Sequence, residues 1–132
     1  YGAGGLWNWK LAADEPGWPD WANSNVSWKE AIELPGAVYV GYLSKALAGL
    51  DITDIECHPE LAGGELCLAK SGELYIVYLP EGGEVTVSQA PVGATVRWFD
   101  PTTGTFVSDS IVESDQFDAG VQQPRVLIIN NV

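Results

Sequence analysis

The sequence has very few positively charged residues. Six Lys and Arg stand against 18 Asp and Glu, which gives a net charge of −12. A surface of this charge repels phosphate backbones and anionic lipid, so we expect neither nucleic acid nor a membrane as a partner. The acidic residues are spread along the chain, which indicates a solvated acidic surface. An apolar fraction of 46% nevertheless indicates a folded protein.

Methionine is absent throughout, and the chain begins at Tyr1. We therefore expect a processed chain or a piece of a longer protein. The sequence also has no apolar run approaching the roughly 18 residues of a membrane-spanning helix. No basic-then-apolar leader is present, so the chain carries no recognisable signal peptide.

Cysteine and histidine are scarce. Cys57 and Cys67 could form a disulfide in an exported protein, or they could be two buried free thiols. A metal site that includes His58 is less favoured, because there is neither a C-x-x-C pair nor a second histidine. We expect His58, which precedes Pro59 in a loop, to be structural or exposed. The sequence predicts no metal and no cofactor.

Motifs for catalysis are missing as well. No G-x-S-x-G elbow and no phosphate-binding glycine loop occurs. Acidic residues among tryptophans or near strand ends are weak candidates for acid–base catalysis or Ca²⁺ binding, and a solvated surface explains them better. The sequence therefore predicts no catalytic residue in this chain. The acidic candidates are Asp14, Glu15, Asp20, Asp109, Glu113, Asp115 and Asp118.

The first part of the chain predicts an irregular loop followed by a kinked helix. Residues 1–26 are rich in Gly, Trp, Asn and Pro, whereas Ser27–Leu50 has helical spacing of apolar residues. Ser27 and Glu30 fit a capping box, Pro35 should divide the helix, and Gly49 fits a C-terminal cap. Leu34–Leu43 contains no charge, so we expect this helix to be covered by a larger body or by a second subunit.

The remainder of the chain has the two-residue period of β-strands. Gly-containing turns such as Pro80–Gly83 and Asp100–Gly104 connect the strands, which favours an antiparallel β-sandwich of about six to eight short strands. The predicted fold class is α+β, mainly β, with residues 1–65 as one part and residues 66–132 as the sandwich domain. The predicted strands are Leu66–Lys70, Leu74–Leu79, Glu84–Ser88, Ala94–Asp100, Thr105–Ser108, Ile111–Glu113 and Val126–Ile129.

Aromatic residues are abundant, with six Trp and five Tyr. Exposed indole rings are good platforms for the C–H faces of sugars. The alternative is structural: Trp28 and Trp98 would then be core residues, and the remaining tryptophans would bury the N-terminal loop.

Several motifs follow one another along the chain: Tyr1–Asn8, Trp28–Ala31, Leu34–Ala37, Tyr42–Leu43, Tyr78–Gly83 and Val96–Gly104. In this order they resemble the C-terminal end of the apiosidase-like glycoside hydrolases. This family has a (β/α)8-barrel followed by a β-sandwich domain that is labelled collagen-binding. The resemblance covers nearly the whole chain, although residues 10–25 and 51–65 match it poorly.

The resemblance implies that residues 1–65 are the end of a barrel and that Ser27–Leu50 is its last helix. Active sites of such barrels lie at the C-terminal ends of the strands, so Tyr1, Trp7 and Trp9 would line a sugar site. The catalytic acids would lie on earlier strands, which makes this chain a non-catalytic accessory portion of an extracellular or periplasmic hydrolase. The alternatives are a free-standing carbohydrate- or protein-binding module, or a structural domain that dimerises through its helix.

Overall fold

A computed structural model describes residues 9–17 and 26–131 of the chain. The chain divides into two compact units, Tyr1–Lys45 and Ala46–Val132, called here the N-terminal and C-terminal units. The predicted domain boundary at residue 65 stays a prediction. Within the described ranges, no helix is long and apolar enough to cross a membrane.

The predicted kinked helix forms as two helices, α1 (Trp28–Ala31) and α2 (Pro35–Ala46). The carboxylate of Glu30 accepts hydrogen bonds from the backbone N–H and the hydroxyl of Ser27, which satisfies a donor that the first turn leaves unpaired. Pro35 is the first residue of α2, where a backbone N–H would have no partner within the helix, so the missing N–H of proline breaks no hydrogen bond. The helix ends at Ala46, earlier than the predicted Leu50, and Gly49 follows with a φ of +78°.

The main element of the C-terminal unit is a six-stranded antiparallel sheet. Its strands are β1 (Glu56–Cys57), β2 (Leu66–Lys70), β3 (Leu74–Leu79), β5 (Thr95–Asp100), β6 (Thr105–Ile111) and β8 (Arg125–Asn130). They lie in the order β1-β2-β3-β8-β5-β6, and Thr95 is the only exposed residue of the central strands β3, β8 and β5. A 3₁₀ helix, Pro59–Ala62, connects β1 to β2.

A second, two-stranded sheet pairs β4 (Glu84–Thr86) with β7 (Gln116–Asp118). Val85 and Phe117 lie opposite each other in this pair and pack against the core that the large sheet supplies. Tyr75, Val77 and Leu127 at the centre of that core are fully buried. The fold is therefore α+β and mainly β, with two packed β-layers, as the sequence predicted.

Three sequence predictions were wrong in detail. Ile111–Glu113 is not a separate strand, because β6 continues without a break through Ile111. The strand β7 was missed, since Phe117 is its only apolar residue and period-two spacing is not visible in it. Trp28, assigned to the core in the structural alternative, is 38% exposed.

Candidate functional site

The residues predicted to line a sugar site cannot all be compared with the structure. Tyr1 and Trp7 lie outside the described residues. Trp9 is 73% exposed and precedes Lys10, which is buried and whose carbonyl accepts a hydrogen bond from the N–H of Trp28. Trp98, in contrast, is a core residue of the C-terminal unit, as predicted. Of the described tryptophans, Trp9 therefore has the indole ring most available to a ligand.

Helix α2 exposes a row of large apolar side chains. Val38, Tyr39 and Leu43 are each nearly half exposed, and Ala46 is the only residue of this helix that is buried. Lys45 is the one charged residue of this helix, and its Nζ lies 4.9 Å from the centroid of the Tyr42 ring. Such a surface is typical of a helix that another body covers.

Both cysteines are free thiols, so the disulfide alternative is wrong. Cys57 lies opposite Leu68 in the sheet, and Cys67 is the next residue along β2. Because neighbouring residues of a strand point to opposite faces, Cys67 is buried in the core whereas Cys57 is exposed. The alternative of two buried thiols is therefore also wrong. Burial of Cys67 raises the pKa of its thiol to about 11.

His58 is partly exposed, and its neighbours are carboxylates. Its Nδ1 lies 2.8 Å from Oε1 of Glu60, and its Nε2 lies 3.8 Å from Oε2 of Glu56. The hydrogen bond from His58 lowers the pKa of the Glu60 carboxyl. The described residues contain no group of three or more His, Cys, Asp and Glu side chains that could hold a metal ion. His58 is the single residue that separates β1 from the 3₁₀ helix.

A buried ion pair joins Asp100, within the Val96–Gly104 motif, to Arg125 at the start of β8. Oδ2 of Asp100 is 3.1 Å from Nη1 of Arg125, and both side chains are about one-tenth exposed. Oδ1 of Asp100 accepts hydrogen bonds from the N–H groups of Thr102 and Thr103 and from the Thr102 hydroxyl, at 2.7 to 3.2 Å. Burial alone would raise the pKa of Asp100, yet these hydrogen bonds and Arg125 together hold it below its ordinary value. The pair stabilises the turn after β5 against β8.

The acidic candidates from the sequence are dispersed. Asp109 pairs with Arg97 at 3.2 Å, and Asp118 accepts a hydrogen bond from the N–H of Gly120. Glu15 accepts one from the N–H of Leu11 at 2.6 Å, whereas Asp20 lies outside the described residues. The remaining candidates, Asp14, Glu113 and Asp115, are solvent-exposed.

An open cavity of about 530 Å³ lies between β6 and β7, and we call it the edge groove. Two aromatic and two aliphatic side chains form its apolar part, while carboxylate, amide and hydroxyl groups line the rest. Asp118 also borders two further cavities of about 330 and 690 Å³, along β4 and along the loops at residues 82–84 and 120–122. The edge groove is lined by Val96, Trp98, Ser110, Ile111, Glu113, Ser114, Gln116, Phe117 and Asp118.

This groove was not predicted from the sequence. Trp98 and Phe117 are 19 positions apart, and they lie near each other only because β7 belongs to the second sheet and β5 to the first. The acidic and amide residues of the segment 113–118 were visible in the sequence, but their spacing matches no known ligand motif.

Comparison with known proteins shows a shared fold. The chain is similar to the crystal structure of a glycoside hydrolase family 5 protein from Bacteroides vulgatus ATCC 8482, with a TM-score of 0.63 and 14% identity. The match covers 88% of this chain and 29% of that one. A second structure, described as a glycoside hydrolase, matches with a TM-score of 0.62 and 16% identity over 88% of this chain and 30% of its own. No family model and no curated protein matches the chain.

The chain thus spans less than one third of the length of the glycoside hydrolases that it matches. Its fold, an α+β arrangement with a β-sandwich, is similar to one part of each of these larger glycoside hydrolase chains. The C-terminal unit alone is too short to account for 88% of the chain, so the match includes residues of the N-terminal unit. These similarities do not separate the apiosidase-like family from other glycoside hydrolases.

Proposed function

We propose that this chain is the non-catalytic C-terminal portion of a glycoside hydrolase of the apiosidase-like type, with the sandwich as its accessory domain. One observation carries the proposal: nearly all of this chain matches less than one third of each glycoside hydrolase chain. A match of this kind fits a chain that supplies one part of a larger enzyme. The proposal also includes the export of the whole enzyme to the periplasm or the cell exterior.

The exposed face of α2 supports the same proposal. The run from Leu34 to Leu43 carries no charge, and Val38 and Leu43 within it are nearly half exposed, so this face needs a cover. The outer helices of a (β/α)8-barrel are covered in this way, because they pack against the barrel and against each other. We propose that the remaining barrel covers this face. In that arrangement Tyr1, Trp7 and Trp9 would contact the sugar.

The carboxylates of the described residues support a non-catalytic role. Glycoside hydrolysis needs a carboxylic acid that an apolar pocket keeps protonated, opposite a second carboxylate. The carboxyl groups that border the cavities belong to Glu84, Glu113 and Asp118, and all three residues are solvent-exposed. We therefore assign the catalytic acids to the part of the hydrolase outside this chain.

The test is a side-by-side assay of the isolated chain and of the whole polypeptide on a panel of aryl glycosides and plant polysaccharides. We expect the whole polypeptide to release sugar and the isolated chain to release none above buffer. Trp9→Ala in the whole polypeptide should raise KM because it removes a sugar contact, whereas Trp28→Ala serves as the matched control. Hydrolysis by the isolated chain would refute the proposal.

The exposed face of α2 also favours a second candidate function, a structural domain that dimerises through this helix. Light scattering of the isolated chain distinguishes the two candidate functions, because a dimerising domain should give the mass of a dimer. The Leu43→Lys variant should then give the mass of a monomer, since it places a charge in the apolar face. A monomer at all concentrations would eliminate this candidate.

A further inference from the structure

Within residues 9–17 and 26–131, the second layer of the sandwich has two strands, whereas the first has six. Strand β7 pairs with β4 on one side and with no other strand of the described residues on its second side. The edge groove lies on that second side, since it touches all three residues of β7 and none of β4. The groove therefore occupies the place of a third strand in the second layer.

The floor of the edge groove faces this vacant strand position. Val96 and Ser110 are opposite each other in the β5–β6 pair, and Trp98 is two residues further along β5, so all three lie on one face of the large sheet. Phe117 forms the neighbouring wall, where it packs against the core. A strand placed here would cover the partly exposed Phe117 and complete the burial of Trp98, of which 8% is exposed.

Backbone groups of β7 are oriented toward this position. The N–H of Val87 donates to the carbonyl of Asp115, and the N–H of Ala119 donates to the carbonyl of Gly83. Because hydrogen-bonded positions alternate along an antiparallel pair, residue 117 also bonds toward β4, and Gln116 and Asp118 direct their N–H and C=O groups away from it. The hydroxyl of Ser114 accepts a hydrogen bond from the N–H of Gln116 and donates one to its C=O, both at 3.3 Å, so an incoming strand would replace these two bonds. An edge that pairs with no second strand of the described residues is a template for strand addition.

The groove is acidic, which favours an incoming strand with positively charged side chains. Glu113 and Asp118 line the groove, and none of the described residues that line it is Lys or Arg. A second copy of this chain, with its net charge of −12, would be repelled. A neutral glycan could meet the carboxylates with its hydroxyls, but it has no alternating donors and acceptors to match the edge of β7.

We propose that the edge groove binds an extended, cationic segment of another polypeptide, which adds to the free edge of β7 as a third strand. Its apolar side chains cover Phe117 and complete the burial of Trp98, and its Lys or Arg side chains lie near Glu113 and Asp118. This inference does not rest on the proposed hydrolase function, because the whole groove lies in the C-terminal unit.

The probe is a short, end-capped peptide that alternates lysine and valine, titrated into the full chain by calorimetry and by amide NMR. We expect saturable binding with the largest shifts at the N–H groups of Gln116 and Asp118. A peptide with N-methyl groups on alternate amides keeps the charge but cannot pair as a strand, so it should bind far more weakly. A glutamate–valine peptide should not bind.

The double variant Glu113→Gln, Asp118→Asn should weaken binding about three- to tenfold, because it removes two solvent-exposed charge partners. Asn at position 118 keeps an oxygen acceptor for the N–H of Gly120, which preserves the turn. The matched control is the double variant Glu33→Gln, Glu65→Gln. It also removes two negative charges, but at exposed sites that do not border the groove. Binding should be unchanged in this control.

Several results would overturn the proposal. These are an absence of peptide binding, an equal loss in both double variants, or tight binding of the N-methylated peptide. Displacement of the peptide by a neutral oligosaccharide, with shifts at the same amides, would instead assign the groove to a glycan.

Discussion

At the scale of single residues, the pair of Asp100 and Arg125 makes the clearest contribution to stability. The carboxylate accepts three hydrogen bonds from the turn and faces a guanidinium that is only 9% exposed. Arg125 Nε is already buried without a hydrogen-bond partner among the described residues, so this side chain depends on its contacts through Nη1. Removal of the carboxylate would leave a buried positive charge uncompensated.

We therefore predict that Asp100→Ala lowers the free energy of unfolding by about 3 kcal/mol, because one partner of a buried pair is left alone. Urea denaturation measures this loss. The control is Asp109→Ala, whose pair with Arg97 is exposed and should contribute less than about 1 kcal/mol. Equal losses in the two variants would contradict the assigned role of Asp100.

The lowered pKa of Asp100 predicts a dependence on pH. Its folded pKa lies below the unfolded value of about 3.9, so the ionised carboxylate favours the folded state above that pH. This stabilisation is lost as the pH falls through the folded pKa. The difference in urea midpoint between the natural chain and Asp100→Asn should therefore be constant near neutral pH and shrink below about pH 4. A difference that persists in acid would show that the charge is not its cause.

The two thiols should differ in reactivity. Cys57 is exposed, whereas the pKa of Cys67 is raised to about 11 by burial, so almost none of it is thiolate at neutral pH. A disulfide-exchange reagent should titrate one thiol per folded chain and the second only in denaturant. Cys57→Ser should abolish the fast reaction, and Cys67→Ser should leave it intact. Fast reaction of both thiols would contradict the burial of Cys67.

At the scale of secondary structure, the sequence predicted the buried elements better than the exposed ones. Leu66–Lys70 and Leu74–Leu79 were predicted at the observed bounds, because burial forces a regular apolar pattern. The edge strand β6 and the short β7 are solvated over much of their surface, so their sequences carry little pattern. The edge groove was therefore invisible in the sequence, since both of its walls depend on these two strands.

The turn between β3 and β4 gives a test of local geometry. Gly82 has a φ of +70°, and a Cβ at this position would clash with the carbonyl oxygens of Val121 and Gln123. Gly93 has a φ of +86° but open space around its Cα. Gly93→Ala should cost about 1 to 2 kcal/mol from backbone strain alone.

Gly82→Ala should cost about 1 to 3 kcal/mol more than Gly93→Ala, because the backbone of residues 121–123 must also move. Thermal and urea unfolding of the two variants provide the comparison. If the two substitutions are equally destabilising, the close approach of the chain at Gly82 does not exist in solution.

At the scale of the whole molecule, the chain combines a well-formed sandwich with a helix that exposes much of its apolar surface. The sequence predicted this contrast, since Leu34–Leu43 lacks charge while the later strands alternate. The sequence could not predict what covers α2. The apolar face of the helix indicates that a cover is needed, but it carries no information about which protein surface provides it. Under the proposed function, this cover is the remaining barrel of the hydrolase.

The most direct measurement is the coding sequence upstream of the codon for Tyr1, read from the source DNA. If this chain is the accessory end of a hydrolase, the frame continues upstream into further β/α units, and two carboxylic acids stand at the C-terminal ends of their strands. A stop codon shortly upstream, followed by a start codon close to Tyr1, would contradict the central claim that this chain belongs to a larger enzyme.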